Sequence, residues 1–321
     1  MRSAILFVLR RLGPYHRVRL VAAAENGLRL TVLQTRPHSQ EYPWRFDPEG
    51  PYALESLRGA PSLDSDPPLA QLDGQLADLL DRCHPQAIVS VGWADPSYQR
   101  LLLAAHRRHI PLVIVSDSRF RDEPRTAAKE WLKRQLLLGY SAALVAGSES
   151  RAYLENLGFP SAAIAQPWDV VDHAFFEAAA AHVQTRQPHF LCVSRFIDVK
   201  NHVGLLTAYA RYQIEGGNWG LQLVGSGPLE AAIVTQIRDL PDPARVQLQP
   251  FAQLERLCRI YGQASSLVLA STKDTWGLVV NEAMAAGLPC MVSSACGCAV
   301  DLIDHGVTGW CFDPLASAQL T

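Results

Sequence analysis

The sequence predicts an α/β protein of two domains, each built on a mostly parallel sheet, and three observations carry that expectation. A chain of 321 residues exceeds one typical domain and suits two, each able to bury its own core. Short apolar runs of strand length alternate with stretches of helix length, the pattern of βαβ units. That series ends near Trp168-Asp169-Val170-Val171-Asp172 and begins afresh at Phe190. The expected division is a first domain over residues 1–175, a linker over 176–188 and a second domain over 189–321.

In the first half, strands are expected at Ala4–Leu9, Leu28–Gln34, Ala53–Leu57, Ala87–Val91, Leu112–Val115, Ala142–Ala146 and Ala162–Ala165. Helices fall between most of them, at Arg17–Asn26, Leu69–Arg82, Ser97–Arg108, Thr126–Tyr140 and Glu149–Leu157. Ligands of such sheets gather beyond the carboxyl ends of the strands, so two loops draw attention. Gly13-Pro14-Tyr15-His16 follows the first strand: its backbone and His16 either face a ligand or merely shape a turn and cap a helix. Ser116-Asp117-Ser118 follows another buried strand, where an aspartate either hydrogen-bonds a sugar or stabilises its own turn. The helix after it carries Arg125, Lys129, Lys133 and Arg134, which offer a contact to an anionic acceptor or a membrane surface, or simply form a solvated face. Pro37–Pro68 reads as surface loop. Within it Asp64-Ser65-Asp66 has D-x-D metal spacing, but it runs from a polar loop into Pro67-Pro68, so a solvated turn is the preferred reading.

In the second half, the strand Phe190–Val193 leads through Ser194-Arg195-Phe196-Ile197-Asp198-Val199-Lys200 into a helix beginning near Asn201. A helix macrodipole disfavours a cation at its N-terminus, so Lys200 calls for an anionic ligand. Arg195 converges on the same phosphates, or else pairs with Asp198 while Lys200 is solvated. The strand Leu221–Val224 ends in Gly225-Ser226-Gly227-Pro228, with Pro228 placed to open a helix. The strand Ser266–Ala270 then passes through a polar turn into a helix running from Gly277 to Gly287. Asp274 and Glu282 flank that helix start, with Gly277 between them where backbone amides can approach an anion. Strands at Cys290–Ser293 and Trp310–Phe312 follow, separated by a loop of small residues.

Composition narrows the function classes. Hydrophobic residues at 48% and charged residues at 19% are ordinary for a globular enzyme, and a formal net charge of -2 speaks against general nucleic-acid binding. No apolar run reaches the ~18 residues a bilayer span needs, and Met1–Leu12 runs into the first strand, so a cytoplasmic protein is expected. Seven cysteines without a leader suggest reduced thiols. Cys296 and Cys298, with Cys290 and His305 nearby, match zinc spacing poorly, and no metal is expected.

Taken together, S-R-F-I-D-V-K-N, L-V-G-S-G-P-L, D-T-W-G-L-V-V-N-E-A-M-A-A-G-L-P and D-H-G-V-T-G-W-C-F-D-P resemble, in order and spacing, the C-terminal half of the family 4 retaining glycosyltransferases of the GT-B fold. V-V-D-H-A-F-F resembles the inter-domain turn of that family. The resemblance covers residues 165 to 315 and implies two Rossmann-like domains facing each other across a cleft. It also implies a second domain lacking its last helices, because the chain reaches Thr321 just as a helix starts at Leu315. By the same resemblance Arg195 and Lys200 bind the donor diphosphate and Glu282 the ribose hydroxyls. Gly277 and Leu278 present backbone amides, Gly225 and Gly13 line the nucleotide-sugar site, and Asp274 meets the sugar as the first acid of an E-x7-E motif. That acid is one methylene shorter here, Cys296 and Cys298 depart from a glycine-rich loop, and Asp117 stands where many members have a histidine.

The implied activity is transfer of a sugar from a nucleoside-diphosphate sugar to an acceptor hydroxyl with retention, in polysaccharide or glycoconjugate synthesis. The acceptor is a glycan, a lipid-linked or a small molecule. Neither cofactor nor metal is needed, and the departing phosphate takes the acceptor's proton. A nucleotide-sugar epimerase or hydrolase, which would need acid and base groups beside the sugar, and a non-catalytic scaffold are the rival readings.

Overall fold

The run Ala4–Leu9 is apolar along its whole length rather than alternating, as befits a strand covered on both faces of a parallel sheet. In the computed structural model, which describes residues 3–37, 43–60, 65–181 and 185–316, every pair of neighbouring strands is parallel. The chain divides into two units, Met1–Ala146 with Ser150–Val170 and Gly147–Glu149 with Val171–Thr321.

The first unit runs β1 (Ala4–Leu9), α1 (Pro14–Glu25), β2 (Arg29–Gln34), β3 (Tyr52–Ser56), α2 (Leu69–Cys83), β4 (Ala87–Val91), α3 (Pro96–His106), β5 (Leu112–Ser116), α4 (Ala127–Leu137), β6 (Ala142–Val145), α5 (Ser148–Asn156) and β7 (Ile164–Ala165). Its sheet has the order β3-β2-β1-β4-β5-β6-β7. Side chains alternate across the sheet. Leu6, Val8 and Leu33 therefore join Ile88 and Ile114 against Leu72, Leu76 and Leu101 of α2 and α3. Phe7, Leu9 and Val32 point the other way and pack on Leu20 and Ala24 of α1. Pro14 opens α1 and Pro96 opens α3, positions where the missing N–H costs nothing.

The second unit runs α6 (His173–Ala181), β8 (His189–Val193), α7 (His202–Ile214), β9 (Gly220–Val224), α8 (Glu230–Arg238), β10 (Val246–Gln249), α9 (Leu254–Gln263), β11 (Ser266–Leu269), α10 (Leu278–Ala285), β12 (Cys290–Ser293), α11 (Ala299–Leu302) and β13 (Gly309–Phe312). Its sheet order is β10-β9-β8-β11-β12-β13. One core gathers Cys192, Leu221, Leu223 and Val268 of the sheet with Leu206 and Tyr209 of α7 and Ile233 of α8. Elsewhere in the unit α6 packs on α9 and α10, with the rings of Phe176 and Tyr261 edge to face at 6.0 Å.

Several expectations need adjusting. Residues 176–181 of the expected linker belong to α6, and Phe176 is buried. β10 and α9 have no counterpart in the expected element order. β10 is a short edge strand, and α9 is legible only as an amphipathic stripe of buried Leu257, Cys258, Ile260 and Tyr261. Of the strand expected at Ala162–Ala165 only Ile164–Ala165 pairs, after a single 3-10 turn. Asp66 is not a solvated turn residue: it accepts from Arg36 Nε at 3.1 Å and from the Ser97 amide at 2.9 Å. Asp64, the other half of the D-x-D, lies outside the described residues, as does most of the helix expected from Leu315.

The loop after β9 lies directly on the loop after β8. The Phe196 amide donates to the Ser226 carbonyl at 2.9 Å, and the Leu229 amide donates to the Phe196 carbonyl at 3.1 Å. A Cβ at Gly225 would stand 1.9 Å from the backbone oxygen of Ser194, which rigid backbone cannot vacate cheaply. Gly225→Ala is expected to cost at least about 2 kcal/mol through overpacking, read as a lowered urea midpoint for the second unit.

Candidate functional site

In the second unit the chain adds strands to one side of β8 (β9, β10) and then crosses back to add β11, β12 and β13 on the other. The reversal leaves β8 beside β11 with diverging connections at their carboxyl ends, the crevice in which open α/β sheets bind ligands. Lys200 stands in the loop after β8 and Asp274 in the loop after β11. They meet across this point, Nζ donating to Oδ2 at 2.5 Å, with both side chains mostly buried.

The local chain explains how each is held. Lys200 does not open α7. It ends a 3-10 turn, Asp198–Lys200, and Asn201 follows in the left-handed conformation at φ 55°. Asn201 caps α7 by accepting from the Gly204 amide at 3.1 Å, while its amide group donates to the Ala270 carbonyl at 3.1 Å. Lys200 is thus not simply solvated: its charge faces the Asp274 carboxylate. Arg195 is exposed on the same loop.

Asp274 is fixed by the loop after β12. The Gly297 amide donates to the Asp274 carbonyl and the Cys298 amide to the Trp276 carbonyl, each at 3.0 Å. Gly277 then takes φ 105°, a conformation costly for any residue with a Cβ, and Leu278 opens α10. Trp276 Nε1 donates to Asn281 Oδ1 at 2.8 Å, which pins the turn to the helix it introduces. Cys296 and Cys298 are buried beneath it. A Cβ on Gly277 would lie 3.3 Å from Cys298 Sγ, and burial holds the Cys298 thiol well above its ordinary range.

Glu282 lies one turn into α10 with 1% of its surface exposed. Its Oε2 accepts from Tyr261 Oη of α9 at 2.5 Å. Gly225 packs against the loop after β8, as described above. Among the described residues no three of His, Cys, Asp and Glu are grouped to hold a metal ion.

Gly13 and Asp117 belong to the first unit. Gly13 is the N-cap of α1. Burial raises the Asp117 carboxyl above the usual range, opposed by the charge of Arg19 and assisted by that of Asp122. Arg19 is the centre of this group. Its guanidinium lies 3.2 Å from Asp169, donates twice to the Val170 carbonyl at 2.9 and 3.1 Å, and stands 4.7 Å over the Trp168 ring. Burial, then Arg19, pushes His16 down to about 4, and His16 Nδ1 is buried without a hydrogen-bond partner. Sequence reasoning missed Arg19, Tyr261 and Asn201. Each acts through a contact with a residue distant in the chain or through a backbone angle, and neither leaves a motif.

Residues 176–321 match the family model described as glycosyl transferases group 1. Curated proteins are also similar to part of this chain. N-acetyl-alpha-D-glucosaminyl L-malate synthase of Bacillus anthracis is 30% identical over 118 residues, 37% of this chain and 30% of that protein. The amylovoran biosynthesis glycosyltransferase AmsK of Erwinia amylovora is 33% identical over 126 residues, 37% of this chain and 31% of its own length. The matched stretch thus spans about a third of the curated relatives. Anabaena HepE, solved in complex with UDP, aligns with 100% of this chain and 88% of its own at a TM-score of 0.73 and 19% identity. That likeness extends the glycosyltransferase fold over both units.

His202, 2% exposed at the start of α7, binds Ser194 through Nε2 at 3.0 Å. Burial, and then the charge of Lys200, lower it from 6.5 to about 4. Above pH 6.5 it is neutral whether folded or unfolded and adds no pH dependence. As pH falls from 6.5 to about 4 the unfolded chain takes up a proton that the folded one refuses, so stability drops by on the order of 3 kcal/mol. His202→Gln is expected to remove that part of the slope in urea melts across this range.

Proposed function

We propose that the protein transfers a sugar from a nucleoside-diphosphate sugar to an acceptor hydroxyl, with the donor held by the second unit. The observation that carries the reading is the Lys200–Asp274 pair at the point where the sheet reverses direction, beside the Gly277 turn that opens α10. A side-chain cation, a helix N-terminus and a carboxylate are brought together there. The first two suit a diphosphate and the third a sugar hydroxyl.

In this reading Lys200 shares its three N–H donors between Asp274 and the donor phosphates. Arg195 reaches the same phosphates from its exposed place on the loop, and the Gly277 and Leu278 amides add the α10 terminus. Asp274 takes a hydroxyl of the sugar. Glu282 receives the ribose, its carboxylate oriented by Tyr261. As the bond from the anomeric carbon to the phosphate oxygen breaks, negative charge grows on the leaving nucleoside diphosphate. Fixed donors that meet this charge more strongly in the transition state lower the barrier.

The new bond joins the acceptor oxygen to the anomeric carbon on the face the phosphate leaves, which retains configuration. The departing phosphate oxygen accepts the acceptor's proton, so no separate base is required and no metal is invoked. The relatives support a role in glycoconjugate or polysaccharide synthesis, and HepE makes uridine nucleotides the first donors to try.

The test is a thermal-shift panel of nucleoside diphosphates and their sugars. A ligand at about 100 times its Kd adds roughly 2.7 kcal/mol, so a clear rise in Tm is expected with UDP or another member. Lys200→Ala is expected to weaken that ligand by roughly tenfold or more, the loss of a charge-assisted contact. A panel without any shift, or a Lys200→Ala protein that binds as the wild type does, would sink the assignment.

A further inference from the structure

Helix α4 presents apolar residues to solvent. At 100° per residue Glu130, Lys133 and Leu137 turn toward the body of the first unit, and Trp131, Leu132, Gln135 and Leu138 turn away. The inward side is spoken for. Glu130 accepts from Tyr153 Oη at 2.9 Å and from Lys133 Nζ at 3.2 Å, and Arg125 donates to the same tyrosine oxygen at 2.9 Å. Arg134 Nη2 donates to the Asn156 carbonyl at 3.4 Å while its side chain stays exposed, so of Arg125, Lys129, Lys133 and Arg134 three have a partner within the unit. The outward side carries Trp131 at 60%, Leu132 at 54% and Leu138 at 81% exposure, and Phe120, just before the helix, stands at 58%. Lys129 and Arg134 are exposed on either flank. The sole acid between Pro124 and Leu138 is Glu130, which is held inward.

Large apolar groups gathered on one exposed helix face mark a surface that something covers. We infer that the outward face of α4 docks on an anionic lipid bilayer, with Trp131, Leu132 and Leu138 entering the interface and Lys129 and Arg134 meeting headgroup phosphates. The charge pattern chooses this occupant. An apolar stripe flanked by cations, with its acid turned away, matches a sheet of negative headgroups over hydrocarbon, and tryptophan prefers that boundary. An eleven-residue helix is far too short to cross, so it lies in the surface plane. Arg125 and Lys133, which the sequence alone groups with Lys129 and Arg134, serve instead to seat the helix on Tyr153. The inference goes beyond the proposed transfer reaction and does not depend on it.

Flotation of the full chain with vesicles tests it. The protein is expected to float with phosphatidylcholine vesicles containing about a quarter phosphatidylglycerol, not with phosphatidylcholine alone, and to be released by high salt. The double variant Trp131→Ser with Leu138→Ser is expected to stay unbound with an unchanged melting temperature. Lys129→Glu with Arg134→Glu should lower partitioning by roughly tenfold or more. If the serine pair fails to fold, Leu132→Ser and the charge reversals give the same reading. Recovery with neither vesicle, or binding by the serine and charge variants equal to wild type, overturns the inference. A concentration-dependent dimer in sedimentation that Trp131→Ser abolishes also overturns it, by placing a second copy on the face.

Discussion

The second unit's loop edge depends on the contact between Lys200 and Asp274, which are 74 residues apart and joined only because the sheet reverses direction between their strands. A partly buried ion pair is weak evidence of stability for its own sake, since desolvation offsets much of its attraction, yet removing one partner leaves the other charge uncompensated. The pair therefore acts less as a rivet than as a constraint. It fixes where the loops after β8 and β11 lie, and with them the turn at Gly277 and the start of α10. The loop after β12 is tied in turn to Asp274 and Trp276 by backbone bonds.

Around that contact the unit keeps its other polar groups uncharged or closely held. His202, next to Lys200 in the field that burial creates, stays neutral down to about pH 4. Glu282 is enclosed with Tyr261. The first unit repeats the theme with different residues: Arg19 gathers Asp169, Trp168 and Asp117 about one guanidinium, and burial strips His16 of its proton. Preorganised groups of this kind need no rearrangement to meet a developing charge, which is why they bear on the proposed chemistry as well as on folding.

Much of this was legible in the sequence for identifiable reasons. Apolar runs of strand length and their alternation with helices follow from burial on both sheet faces, so β1, β2, β4, β5, β8 and β11 could be read directly. Gly277 could be singled out because its place between a polar turn and a helix calls for backbone freedom. β10 could not, because an edge strand such as Val246–Gln249 is half exposed and lacks an unbroken apolar run. The glycines at 225 and 227 have the spacing of a ligand loop, yet the structure gives them a neighbour of their own, the backbone at 194–196.

By itself the sequence determined the two α/β series, the loops that follow each strand and the residue types within them, because local periodicity and turn chemistry act over a few residues. Tertiary structure alone decided which loops meet. It turned Lys200 toward Asp274 rather than leaving it at a helix terminus, enclosed Glu282 with Tyr261, made Arg19 the centre of a polar group, and rolled α4 so that Glu130 faces in and Trp131 faces out. Each of those outcomes rests on strand order and on packing between segments distant in the chain, and these quantities have no local signature in a linear sequence.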